Sequence, residues 1–184
     1  MRVLLTSAGL ETEKIKEYFI KMSEKDMLDV KALFIPTAAI DPGAIAVLPK
    51  CMNDLLRCGI QDKNIKVFDL YTGINLDELL KYDVVYICGG DTNYLLERVN
   101  ATGFGMTLME YIKANGMVIG VSAGSLIFAN NLPDNLGLID TKLEVHCPEG
   151  EKSGKLKYPL KDNLRLTNTS ALAMWGFPDG LEVI

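Results

Sequence analysis

Histidine is almost absent from this chain of 184 residues: there is one, His146, alongside a single tryptophan. The four cysteines (Cys51, Cys58, Cys88, Cys147) include no C-x-x-C pair. Together these absences remove the ligand spacing of a zinc site, and no metal is expected. No apolar run approaches the roughly 20 residues that a membrane-spanning helix needs. Positive charge is not in excess either, with 19 Lys and Arg against 24 Asp and Glu and a formal net charge of -5. Nucleic acid is therefore excluded as the main partner, because phosphate binding needs a basic face. The opening "MRVLLTSAGL" has too short an apolar stretch for a secretory leader and reads as a first strand. Scattered cysteines without an export signal fit reduced thiols, so a cytoplasmic location is expected. Gly89-Gly90 belongs to neither the Walker nor the dinucleotide glycine pattern, so no phosphate-bearing cofactor is expected.

What is present is ordinary globular composition, 48% hydrophobic and 23% charged, in a length suited to one domain spanning 1–184. Short apolar runs alternate with amphipathic stretches. "RVLLTS", "KALFIPTAA", "NIKVFDL", "DVVYICGG" and "MVIGV" read as strands. Between them "ETEKIKEYFIKMSEK", "PGAIAVLPKCMNDLLRCG", "NLDELLKY", "TNYLLERVN" and "MTLMEYIKANG" read as helices, the second broken at Pro49. This alternation implies an α/β three-layer sandwich with a mostly parallel central sheet, and the near-continuous apolar strands imply burial on both faces. In such sheets, function gathers at the carboxyl ends of strands, here the loops "TSAG", "CGGDTN" and "SAGS". After Leu132 the chain turns polar. A short strand is expected at "KLEVH", a mobile loop at "PEGEKSGK", and terminal strands joined by a turn at Pro178-Asp179-Gly180. The exposed apolar segment "AIAVL" hints at a homo-oligomer.

Gly120-Val121-Ser122-Ala123-Gly124 places a hydroxyl between two glycines at a strand-to-helix junction. In a nucleophile elbow the residues two before and two after the serine come close together, so both must be small. The alternative is that the glycines merely allow close packing and Ser122 caps the next helix. The glycines of "YICGGDTNYLLE" also leave a strand before a helix. Their N–H groups suit an oxyanion hole built from Gly90 and Ala123, whereas a plain junction capped by Asp91 or Thr92 would need no such role.

"LFIPTAA", "YICGGDTNYLLE", "GVSAGS" and "LGLIDTKLEVH", in this order, resemble the peptidase E (aspartyl dipeptidase) family of serine peptidases. That family belongs to the class I glutamine amidotransferase-like folds, with flavodoxin-like winding. The resemblance implies a serine hydrolase acting on short peptides, with Ser122 as nucleophile and His146 as base, and no cofactor. It also implies a preference for Asp-X dipeptides, which calls for a cation; the arginines are Arg2, Arg57, Arg98 and Arg165, and Lys152, Lys155 and Lys157 lie in the polar loop. The family's third, acidic member has no match. Glu144, Asp140, Glu149, Glu151 and Asp162 are candidates, Glu144 because it shares a face with His146 if that segment is extended; a Ser122–His146 dyad helped by a backbone carbonyl is the alternative, and the third position stays open. Two other readings stand beside this one: another acyl hydrolase or amidase on the same residues, and a non-catalytic binding protein. Cys88 reads as a buried strand residue, and Cys147 as a weak rival nucleophile because it lacks an elbow.

Overall fold

The computed structural model describes residues 1–176 and 178–184. The elements run β1 (Arg2–Thr6), α1 (Glu13–Ser23), β2 (Ala32–Ile35), α2 (Pro42–Arg57), a 3-10 turn (Asp62–Asn64), β3 (Ile65–Val67), α3 (Leu76–Leu79), β4 (Val84–Ile87), α4 (Thr92–Ala101), α5 (Phe104–Lys113), β5 (Met117–Val121) and α6 (Ala123–Leu126). Five short strands follow: β6 (Leu143–Glu144), β7 (Gly154–Lys155), β8 (Leu164–Arg165), β9 (Ala171–Trp175) and β10 (Leu181–Val183). Eight strands form one sheet in the order β3-β2-β4-β5-β1-β9-β10-β7, while β6 and β8 pair separately. The β3-β2-β4-β5-β1 portion is parallel, and β9, β10 and β7 extend it by antiparallel pairing. This is the expected mostly parallel α/β sandwich with flavodoxin-like winding, β1 standing in the fifth place.

Both parities of each central strand are apolar because helices cover both faces. On one face Leu4, Phe34, Tyr86 and Ile119 pack with Ile15, Phe19 and Met22 of α1 and Leu55 of α2. On the other, Leu5, Ile35, Ile87 and Val118 pack with Leu95 and Val99 of α4 and Leu108 and Ile112 of α5. Full burial of each such side chain stabilises by about 1.5–3 kcal/mol. Among the described residues, no helix is long and apolar enough to cross a membrane.

Two sequence expectations need correction. Pro49 does not break α2, which continues to Arg57. Asp41 caps the start by accepting from the Gly43 and Ala44 N–H groups, and Pro49 lies on an exposed position where the missing backbone donor leaves a carbonyl open to solvent. The segment expected to be a mobile loop contains β7, whose Lys155 pairs with Glu182 at the sheet edge.

The central strands end level with one another. Thr6 is in register with Val121, and Gly120 with Ile87. Ser7, the Gly89-Gly90 pair and Ser122 therefore leave the sheet together. Beneath them Ser125 is fully buried, accepting from the Thr6 N–H at 3.0 Å while its hydroxyl faces the Thr6 and Gly120 carbonyls, each at 2.8 Å. Ser125→Ala should remove the buried hydroxyl that bridges the Thr6 N–H to the Thr6 and Gly120 carbonyls and lower stability by about 0.5–1.5 kcal/mol, read as a lower urea midpoint with an unchanged slope.

Candidate active site

Ser122 sits at φ 49, ψ -112, between the last residue of β5 and the first of α6. An L-residue is strained there, and the turn survives because its surroundings leave no alternative. A Cβ on Gly120 would collide with the Gly124 carbonyl, and one on Gly124 would collide with the Ile87 carbonyl of the neighbouring strand. Both glycines are thus sterically required, as the elbow reading expected. Ser122 makes no side-chain cap to α6. Its Oγ instead lies 3.0 Å from His146 Nε2, which removes the helix-cap reading of that hydroxyl.

His146 reaches Ser122 from a separate small ribbon. The β6–β8 pair sets Leu143 beside Leu164 and Glu144 beside Arg165. Leu143, Leu164 and Leu166 are buried in the core and anchor the ribbon. Asn131 holds β6 from the other side, its amide donating to the Leu143 carbonyl at 2.8 Å and accepting from the Leu143 N–H at 3.0 Å. Past the ribbon, His146 turns into the left-handed region at φ 58. That turn takes its ring off the Glu144 face, so the expectation that Glu144 accompanies His146 fails; the Glu144 carboxylate faces Arg165 at 3.5 Å instead.

The group on the far side of the ring is an amide. His146 Nδ1 lies 2.7 Å from Asn168 Oδ1, just beyond β8. The buried Ser7 hydroxyl accepts the His146 N–H at 2.5 Å and donates to Asn168 Oδ1 at 3.2 Å. Two donors converge on one amide oxygen, which sets the Asn168 orientation and leaves the proton of the neutral ring on Nδ1. Nε2 is then a bare acceptor facing the Ser122 hydroxyl. Among the described residues, the ring's polar neighbours are Ser122, Asn168 and Ser7, with no carboxylate among them.

The glycine pair after β4 stands against the nucleophile. A Cβ on Gly89 would lie 3.1 Å from Ser122 Cβ and 3.7 Å from its Oγ. Gly90 has φ 142, and a Cβ there would strike the Ala38 carbonyl, so only glycine fits between that carbonyl and the site. Asp91 caps α4 by accepting from the Tyr94 N–H at 2.8 Å, so the plain junction and the close approach to Ser122 coexist.

Under the cleft, Asp54 of α2 accepts from the Leu10 N–H at 2.9 Å and from the Tyr86 hydroxyl at 2.8 Å, tying the loop after β1 to the helix. Burial pushes the Asp54 carboxyl up, against the downward pull of those two bonds and of Lys50, and burial likewise pushes the Tyr86 hydroxyl well up. Cys88 is buried, as expected, and burial raises its thiol strongly; Cys51 lines the cleft, its thiol lowered by a hydrogen bond with Cys88. Cys147 Sγ faces the Val145 carbonyl at 3.8 Å, away from any elbow.

The family model described as peptidase family S51 matches residues 3–140, which includes Gly90, Ser122 and Ala123 and stops before His146 and Asn168. An uncharacterized peptidase of Pasteurella multocida (strain Pm70) is 27% identical over 129 residues, covering 64% of this chain and 62% of that protein's length. An uncharacterized peptidase of Listeria monocytogenes (serovar 1/2a, strain EGD-e) is 26% identical over 143 residues, covering 72% of this chain and 70% of that protein. Among solved structures, a candidate peptidase E protein of Listeria monocytogenes EGD-e superimposes with a TM-score of 0.76 at 22% identity, over 100% of this chain and 96% of that one. A peptidase from an acI-B1 Actinobacterium gives 0.58 at 16% identity, over 100% and 86%.

Proposed function

The chain belongs to peptidase family S51, and on that premise we propose that it is a serine-type peptidase of short peptides, working through Ser122, His146 and Asn168. The observation that carries this reading is the 3.0 Å approach of Ser122 Oγ to His146 Nε2 at a strained, glycine-flanked turn. Nε2 takes the hydroxyl proton as Oγ attacks the scissile carbonyl carbon. The carbonyl oxygen becomes negative and is received by the N–H groups of Gly90 and Ala123, the latter at the first position of α6. The imidazolium then returns its proton to the departing amine, the C–N bond breaks, and an acyl ester remains on Ser122. Water, deprotonated by the same Nε2, hydrolyses that ester and restores the hydroxyl. Asn168 holds the ring so that Nδ1 keeps its proton throughout, and Ser7 braces both Asn168 and the His146 backbone.

A fluorophosphonate probe tests the reading directly. It should form a covalent adduct with the native protein, mapped by mass spectrometry to the peptide containing Ser122, and the adduct should vanish in His146→Ala. A native protein that stays unlabelled under conditions that label a control serine hydrolase would leave only a binding role on this fold.

A further inference from the structure

We propose that the cleft beside Ser122 takes an uncharged, apolar side chain from the residue that supplies the scissile carbonyl, in preference to an aspartate; this rests on the hydrolase reading above and adds the substrate class to it. The cleft lies between α2 and the strand ends and encloses about 220 Å³. One wall is a single face of α2, since Ala44, Val47, Leu48 and Cys51 recur at the i, i+3, i+4, i+7 spacing. Val121 contributes from β5, and Gly89-Gly90 closes the side next to the oxyanion position. An apolar stripe on a helix ordinarily packs into a core, yet Val47 is left 48% exposed. An apolar cavity of about 150 Å³ is enough to hold benzene, so a leucine or phenylalanine side chain fits this one. The segment "AIAVL", which as sequence suggested self-association, supplies three of these wall residues.

Charge points the same way. Lys50 is the one cation lining the cleft among the described residues, and it is already engaged. Its ammonium pairs with Glu11 and donates to the Ala8 carbonyl at 3.0 Å. Asp54, one helical turn on, adds a second acidic group below it. None of the guanidinium groups is placed to receive a substrate carboxylate. Arg2 donates to the Met22, Ser23 and Asn115 carbonyls at the opposite end of β1, and Arg98 to the Leu70 and Tyr71 carbonyls. Arg165 faces Glu144, and Arg57 lies at the last turn of α2, beyond the lining residues. An aspartate side chain entering here would lose water against Val47 and Leu48 without gaining the bidentate partner that offsets such a loss. The leaving amine departs on the His146 side, which is open to solvent.

The test compares kcat/KM for Leu-, Phe-, Lys- and Asp-p-nitroanilides and for the matching dipeptides, with the native chain and with Val47→Lys. Leu and Phe substrates should exceed the Asp substrates by about tenfold or more, the discrimination an apolar pocket supplies. Val47→Lys changes an exposed wall residue and should shrink that ratio about tenfold by raising Asp and lowering Leu turnover. Asp substrates matching or exceeding Leu substrates, an unchanged ratio in Val47→Lys, or fluorophosphonate labelling without turnover of Leu or Phe substrates would overturn the specificity while the hydrolase stands. Absence of both labelling and turnover would overturn the hydrolase reading and the specificity with it.

Discussion

Replacing Ser122 with alanine is expected to lower kcat/KM by about 10⁴–10⁶, with the melting transition unchanged within about 0.5 kcal/mol. The size follows from what is removed. Without Oγ no acyl ester forms, and what remains is water acting on a carbonyl polarised by the Gly90 and Ala123 N–H groups, the residual catalysis that an oxyanion hole gives alone. The strained backbone is the same for alanine as for serine, and the side chain's hydrogen bond is to the solvent-open His146, so little stability is at stake. His146→Ala should lose a comparable factor, because the hydroxyl without its base is a weak nucleophile. The double variant should be no worse than the poorer single one, since the two groups act as a unit. Independent, multiplying losses would mean that Ser122 and His146 do not share a step.

Asn168→Ala is expected to cost kcat about 10²–10⁴ with little change in KM. Asn168 touches the ring and Ser7 but does not line the cleft, so substrate affinity should hold while the proton-accepting tautomer is lost. Without the amide oxygen, Nδ1 can give up its proton and Nε2 can hold it, presenting a donor to a hydroxyl that needs an acceptor. Asn168→Asp separates geometry from charge. The carboxylate still accepts from Nδ1–H and from Ser7, so activity at neutral pH should be retained. A kcat for Asn168→Asp within about tenfold of the native value, against the larger fall in Asn168→Ala, would assign the residue's role to its acceptor oxygen. An unchanged kcat in Asn168→Ala would show that the ring is held by Ser7 and the backbone alone.

Much of this was legible in the chain. The parallel sheet announced itself through strands apolar at both parities, and the elbow through Gly120 and Gly124, whose missing Cβ atoms the packing demands. His146 stands out as the only imidazole and by its place after "LGLIDTKLEV". Asn168 and Ser7 carry no such signal. Asn168 lies in the polar "LTNTS", and nothing in that string shows that two-residue strands bring it level with His146. The family pattern points to a carboxylate there, whereas orienting a neutral ring needs only an acceptor oxygen. Ser7 belonged to a loop marked by its position at a strand end, but its role depends on a bond to a backbone N–H far along the chain, which carries no residue signature. Pro49 was misread because a proline's penalty depends on which side of a helix its absent donor falls, and periodicity does not reveal that.

The first strand has no neighbour close to it in sequence. Arg2 of β1 lies beside Met117 on one edge and Trp175 on the other, so this strand is made before both of its partners and waits for them during translation. Pairings at such separation are slow to nucleate, and until they close, a ribbon of four consecutive apolar or β-branched residues stands open beside the ribosome. Recruitment of chaperones to the growing polypeptide should accordingly be greatest before the β9 segment emerges.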